Sequence, residues 1–154
     1  MKQSPQHNDL RSRLSASKFS GDGFLGNDAR PVDEIINADL RALENAGVTL
    51  EEVSDALNNA YADTRNALGA EIELAPGVVA VFHESMGRIP SPFRGDGVFP
   101  KGEAVVFEKK TGRQIIITAL GINLIAQHGF FQGKGSRYRI EPVAAIEIFS
   151  LSSS

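Results

Sequence analysis

The residues best suited to chemistry lie in one glycine-rich, basic segment: Gly133, Lys134, Gly135, Ser136 and Arg137, with His128 upstream and Arg139 downstream. Glycines leave backbone N–H groups open to an anion, and the lysine and arginine side chains add positive charge. The segment therefore predicts a site for a phosphate or a carboxylate. The simpler interpretation is a glycine turn whose charged side chains are solvated.

The segment is not a Walker phosphate-binding loop. That motif needs four residues between its first glycine and the GK pair, a hydroxyl residue after the lysine, and a strand before it with a helix after it. Gly129 lies too close by one residue, and Gly135 replaces the hydroxyl residue.

A second basic segment, Met86–Gly102, is crowded with proline and glycine, which predicts a long irregular loop. If this loop folds over the glycine segment, its Arg88 and Arg94 join Lys134, Arg137 and Arg139 in one pocket with aromatic edges. Such a pocket suits a nucleotide, a phosphorylated metabolite or an acidic peptide. Alternatively, carboxylates of the same chain or of a second copy neutralise these cations, and the charges serve packing or self-association.

An enzyme is the competing class, with His128 as acid or base and Lys134 and Arg137 clamping an anionic substrate. The sequence offers little else for catalysis. It has no cysteine and no HExxH or GxSxG motif, and its three histidines are not at metal-ligand spacing. We therefore expect no metal or cofactor, and a non-enzymatic binding module is favoured.

The elements that must position these residues begin with two helices. Apolar residues at helical spacing predict a helix over Pro31–Ala46, which Gly47 ends. Thr49 and Glu52 form a capping box that starts a second helix, running to about Leu68.

This pair resembles a DNA-binding helix-turn-helix, but electrostatics disfavours that function. The segment 31–73 has a formal net charge of -8, from two basic and ten acidic residues. No Arg or Lys lies between Arg41 and Arg65 to contact phosphates or guanine. Nucleic acid is therefore not the expected partner.

Beyond Ala70 the pattern becomes extended, with strands at 71–74 and 78–82 and a hairpin joining 104–107 to 113–118 around Gly112. A short helix is expected over Leu120–His128, and then an extended run over Arg137–Ile140. The segment 142–149 fits a helix or a strand equally well. The predicted fold is α+β, with the two N-terminal helices packed on an antiparallel sheet and a short helix between the hairpin and the C-terminal segment.

Length and composition predict one domain. Of the 154 residues, 42% are hydrophobic, which can supply one core over residues 23–150. Residues 1–22 are polar and predict a flexible arm, and residues 151–154 form a tail. No apolar run has the length of a signal peptide or a membrane span, so a cytoplasmic protein without a membrane partner is expected.

Two stretches, GDGFLGNDARPVDEII and TGRQIIITALGINLIAQHGFFQGKGSRYRIEP, resemble a small bacterial family that shares an HGFFxGxGS-type segment, here within His128–Arg139. The resemblance spans most of the chain after Gly21. It implies a bacterial or phage setting and a shared architecture, and it carries no activity or cofactor.

The sequence thus favours a small binding module for an anionic molecule or an acidic protein surface, sited at Gly133, Lys134, Gly135, Ser136, Arg137, Arg139, Arg88 and Arg94. An enzyme using His128 and a self-associating structural protein, active as a homo-oligomer, stay as alternatives.

Overall fold

The computed structural model of the protein describes residues 23–151, so the predicted arm 1–22 and residues 152–154 lie outside the described part. Its helices are α1 (Val32–Asn45), α2 (Leu50–Asn66), α3 (Ala119–His128) and α4 (Pro142–Ile148). Its strands are β1 (Ile72–Ala75), β2 (Val78–His83), β3 (Arg88–Pro90), β4 (Val98–Pro100), β5 (Glu103–Glu108) and β6 (Gln114–Thr118). The predicted α+β class, with two helices ahead of an antiparallel sheet, is confirmed.

The two N-terminal helices form where their local signals predict. The Glu52 amide donates to the Thr49 hydroxyl at 3.1 Å, and the Thr49 amide donates to the Glu52 carboxylate at 3.1 Å. This capping box satisfies N–H groups that the first turn of α2 cannot pair within the helix. Gly47 takes a φ of 69°, a left-handed conformation that lets the chain reverse between α1 and α2.

Four strands form one antiparallel sheet in the order β1-β2-β5-β6. In the hairpin between β5 and β6, Val105 pairs with Ile116. Gly112 has a φ of 76° in its turn, as the sequence predicted. The hairpin therefore sets the register of the half of the sheet that leads into α3.

The segment 86–102 is more regular than the sequence predicted. Strands β3 and β4 pair antiparallel as a separate two-stranded ribbon, with Ile89 opposite Phe99. The Ser91 amide donates to Gly97 O at 2.9 Å, which continues the pairing past the strand ends. The prediction of a wholly irregular loop was wrong, because proline is tolerated at the edges of so short a ribbon.

The C-terminal region also departs from prediction. Arg137–Ile140 was expected to be extended, but the chain turns there and the Arg139 amide donates to Ser136 O at 3.2 Å. The ambiguous segment 142–149 is helical as α4, which begins at Pro142 because proline suits the first position of a helix.

Two apolar clusters hold these elements together. The larger cluster joins α2, α3 and α4 to one face of the four-stranded sheet, and its aromatic pair Tyr61 and Phe82 meets edge to face with ring centroids 5.5 Å apart. The smaller cluster joins the first described residues to α1 and α3: Phe24, Leu25, Val32, Ile35, Leu120, Leu124 and Phe130. Within residues 23–151, no helix has both the length and the apolarity to cross a membrane.

The opposite face of the sheet carries apolar side chains that belong to neither cluster. We call this the outer face, formed by Val79, Val81, Val105, Phe107 and Ile116. Phe107 is 39% exposed there, and its cross-strand neighbour Val79 is 9% exposed.

Candidate functional site

The glycine segment packs against the first described residues of the chain. The Gly133 amide donates to Phe24 O at 2.7 Å. A Cβ atom placed on Gly133 would lie 2.3 Å from Leu25 O, far closer than any side-chain carbon can approach. Glycine at this position is therefore required for contact between two backbones, which is a packing role.

The anion that the glycine segment binds is a carboxylate of its own chain. The Lys134 amide donates to Asp28 Oδ2 at 3.1 Å, and the Asn27 amide donates to Lys134 O at 3.1 Å. Arg30 donates to both oxygens of Asp28, at 2.9 and 2.7 Å. The Arg30 guanidinium is the main reason that the pKa of Asp28 lies well below its usual value, despite burial that opposes it. We call these contacts between Phe24–Arg30 and Gly133–Ser136 the glycine interlock.

The arginine side chains that follow the interlock likewise form ion pairs with carboxylates. Arg139 is 6% exposed and pairs with the equally buried Asp39 at 2.9 Å. It also contacts Glu141 at 2.8 Å. Burial acts to lower the pKa of Arg139, but hydrogen bonds to the two carboxylates outweigh it and raise the pKa above its ordinary value. Arg139 is therefore held in a buried ion pair.

The structure does not gather the predicted cations in one pocket. Arg137 is 60% exposed and meets Glu103 at 3.4 Å. Arg88 and Arg94 are exposed on the ribbon and its turn, away from the lining of the cavity described below. Lys134 and Gly135 are exposed, whereas Ser136 is buried.

His128 fastens the ribbon to α3. Its Nε2 donates to Asp96 at 2.8 Å, and its ring stacks on Phe93 with centroids 3.7 Å apart. Asn123 and Ser91 donate to the same Asp96 oxygen. Burial acts to raise the pKa of Asp96, but hydrogen bonds, from His128 first, hold it below its usual value. Three donors thus converge on one oxygen of Asp96, and His128 anchors the ribbon to α3.

A cavity of about 220 Å³ opens beside the interlock, where the ribbon, the ends of β2, β5 and β6, and the start of α3 meet. Its lining combines apolar and polar side chains: Phe24, Ser85, Ile89, Pro100, Lys101, Glu103, Thr118, Leu120, Gln132 and Tyr138. Of the residues predicted for binding or catalysis, none lies in this lining. The predicted residues Gly133–Arg137 are adjacent in sequence to the lining residues Gln132 and Tyr138, but the lining residues themselves were not predicted.

Tyr138 and Glu103 form the polar side of the cavity. The Tyr138 hydroxyl donates to Glu103 Oε2 at 2.6 Å. Burial, and then the hydrogen bond to this carboxylate, raise the pKa of Tyr138 to about 12. The phenol therefore stays protonated at neutral pH, and both oxygens of Glu103 already have partners in Tyr138 and Arg137.

Gln132 is the most unusual residue of the lining. It is 3% exposed and has a φ of 73°, in the left-handed region that residues other than glycine seldom adopt. Its side-chain oxygen lies 2.8 Å from the Ser136 hydroxyl, which also lies 3.0 Å from Gly23 O. In either amide orientation, the second polar atom of the Gln132 side chain is hydrogen-bonded to no residue of 23–151. No fully buried side-chain nitrogen or oxygen atom in that range lacks a partner, so this Gln132 atom is accessible.

Comparison with known proteins adds no candidate function. No family model, no curated protein and no solved structure matches the chain. In the described part of the chain, no group of three or more His, Asp or Glu side chains is arranged to hold a metal ion. The residues and geometry of the site therefore carry the functional argument.

Proposed function

We propose that the protein is a non-enzymatic binding module that takes a small molecule into the cavity beside the glycine interlock. One observation carries this proposal: the conformationally strained Gln132 lines the cavity with an accessible side-chain amide atom that is hydrogen-bonded to no residue of 23–151. A polar atom that opens onto a cavity can hydrogen-bond a ligand held there, and strained backbone residues concentrate at ligand sites. A ligand with a matching polar group would complete this hydrogen bond.

The size and composition of the cavity fit a small ligand. Its volume of about 220 Å³ exceeds the roughly 150 Å³ of an engineered protein cavity that holds benzene. Phe24, Ile89 and Leu120 offer apolar contact, and a few polar groups supply orientation, which is the usual make-up of ligand pockets. A ligand on the order of ten non-hydrogen atoms would fill it.

Binding is favoured over catalysis because the phenol and the carboxylate of the lining are already hydrogen-bonded to each other. Tyr138 has a pKa of about 12, and its partner Glu103 is held by two donors. His128, the candidate acid or base, lies at the C-terminal end of α3, whereas Thr118 and Leu120 line the cavity at its start. A helix of 10 residues is about 15 Å long, so His128 is distant from a ligand in the cavity.

The test is a fragment screen read by ¹H–¹⁵N NMR of the whole chain. Cavity binders should shift the amide signals of Leu120, Gln132 and Tyr138. The exposed rim residue Ser85 allows a blocking variant, Ser85→Trp, which should abolish those shifts. Val143→Trp, on the exposed side of α4, is the matched control and should bind as the wild type does. Fragments that shift these signals equally in both variants would refute the proposal.

A second candidate function, self-association, is supported by the outer face. Five apolar side chains share one side of β2, β5 and β6 and pack into neither core cluster. None of these five is charged, and the carboxylates on the same side, Glu73 and Glu103, lie at its margins, so a two-fold contact centred on Val105 and Phe107 is mainly apolar. Such a contact would be apolar and would persist as salt rises, unlike a contact between acidic and basic surfaces.

Sedimentation velocity at low and high salt tests this second candidate. We expect an oligomer that survives high salt and that Phe107→Lys converts to monomer. Gln127→Lys, on the exposed side of α3, adds the same charge away from the outer face and is the control. A monomer at every concentration of the wild-type chain would exclude self-association through the outer face.

A further inference from the structure

The charges around the cavity are unequal, which bears on the kind of ligand that it accepts. Lys101 lines the cavity and has no carboxylate partner within residues 23–151. Glu103 is the one acidic side chain of the lining, and Arg137 and the Tyr138 hydroxyl already contact it. The Lys101 ammonium is thus the charge that is left unmatched.

The backbone adds to this positive character. Thr118 caps α3 by accepting the Gly121 amide at 2.9 Å, and both Thr118 and Leu120 line the cavity. The start of α3 therefore faces the same space as Lys101. The start of a helix carries a partial positive charge that favours anions.

The opposite part of the lining is apolar. Phe24 is 7% exposed and Leu120 is 3% exposed, and both belong to the smaller core cluster. Ile89 of the ribbon packs against that cluster and closes this side. A ligand that is charged throughout would leave these surfaces without a partner, so the cavity fits a molecule with one anionic end and a compact apolar body.

We propose that the ligand of this cavity is a small carboxylate with an aromatic or branched apolar body, whose carboxylate binds Lys101 beside the start of α3 while its body packs on Phe24, Ile89 and Leu120. This inference rests on the proposed binding function and specifies its ligand class. The unpartnered amide atom of Gln132 hydrogen-bonds the same ligand.

Three isosteric probes separate charge from shape: benzoate, benzamide and benzamidinium. Each is titrated into the whole chain, and binding is read from the amide shifts of Leu120 and Gln132. We expect benzoate to bind roughly tenfold more tightly than benzamide, because a hydrogen bond to a charged group is worth about one factor of ten more than a neutral one. Benzamidinium should bind most weakly.

The matched variants are Lys101→Met and Lys109→Met. Lys101→Met keeps most of the side chain and should remove the roughly tenfold preference for benzoate. Lys109 is exposed beyond the other end of β5, and its substitution should leave the preference unchanged. Retention of the wild-type fold is checked by the amide spectrum of each variant.

The results distinguish this inference from the proposed function. Benzamide or benzamidinium binding as well as benzoate, or an unchanged preference in Lys101→Met, would overturn the ligand class while leaving a ligand cavity in place. If library fragments shift the amide signals of the cavity residues and benzoate does not, the ligand class is likewise overturned while the binding function stands. If no compound of any charge shifts those signals, the binding function itself fails.

Discussion

Substitution of Arg139 by methionine tests whether the basic residues after the glycine segment are structural. Methionine fills a similar volume but leaves Asp39, which is 5% exposed, without its bidentate partner. Removing one member of a buried ion pair costs about 3–5 kcal/mol. The carbonyl of Gln132, which also accepts from Arg139, would lose a donor. Against a typical total stability of about 5–15 kcal/mol, this is a severe loss.

The double variant Asp39→Leu with Arg139→Met shows how the cost arises. It removes both charges, so most of the penalty for an unpaired buried carboxylate should disappear. The Gln132 carbonyl would still lack its donor, which costs about 1–3 kcal/mol. Glu141 contributes little to the difference, because its carboxylate is 57% exposed and returns to water. We therefore expect the double variant to be more stable than Arg139→Met alone.

Urea unfolding followed by far-UV circular dichroism measures these free energies. The expected result is a loss of about 3–5 kcal/mol for Arg139→Met, with recovery of part of it in the double variant. Arg113→Met, whose guanidinium is 32% exposed, is the control. Its loss should stay within about 1 kcal/mol. If Arg139→Met also lost no more than about 1 kcal/mol, the structural role would be refuted and Arg139 would again be a candidate ligand-binding residue.

Two further predictions concern the glycine interlock. Gly133→Ala should lower the free energy of unfolding by about 1–3 kcal/mol, because the added Cβ would meet Leu25 O. The control is Gly95→Ala, which has open space around it and should lose only about 1 kcal/mol through backbone strain. Equal losses of the two variants in urea unfolding would contradict the close contact at Gly133. The folded-state pKa of Asp28 lies below its ordinary value of 3.8, so its stabilisation is present above that pH and is lost as pH falls further. Acid titration by circular dichroism should therefore show less loss of stability below about pH 4 for Asp28→Asn than for wild type, and parallel curves would contradict the pKa shift.

The elements with local signals could be predicted from the sequence. The capping box of Thr49 and Glu52, the left-handed glycines that end helices, and the Gly112 turn each act within a few residues, so their geometry follows from residue type. The same holds for the fold class, because the change from helical to alternating periodicity is visible along the chain. Short strands β3 and β4 lacked such a pattern and depend on pairing with each other.

The candidate site could not be predicted, because its decisive contacts join distant parts of the chain. The Lys134 amide meets a carboxylate 106 positions away, and Arg139 meets one 100 positions away. Residues 74–154 contain nine basic and six acidic side chains, but the sequence does not show which carboxylates neutralise the basic ones. Gln132 carries no sequence signal, since its strain and burial appear only when the interlock has formed.

The interlock connects the stability of the fold to ligand binding, whereas Lys101 should affect ligand binding alone. Phe24 belongs to one segment of the interlock, Gln132 directly precedes the other and contacts its Ser136, and both Phe24 and Gln132 line the cavity. A variant that loosens the interlock, such as Asp28→Asn, must therefore displace two walls of the cavity and weaken ligand binding along with stability. Lys101 takes no part in those contacts, so Lys101→Met should change binding and leave the urea midpoint near that of the wild type. Unchanged binding in Asp28→Asn despite lowered stability would contradict the link between the interlock and the cavity, and a loss of stability in Lys101→Met would show that the charged lining also holds the cavity.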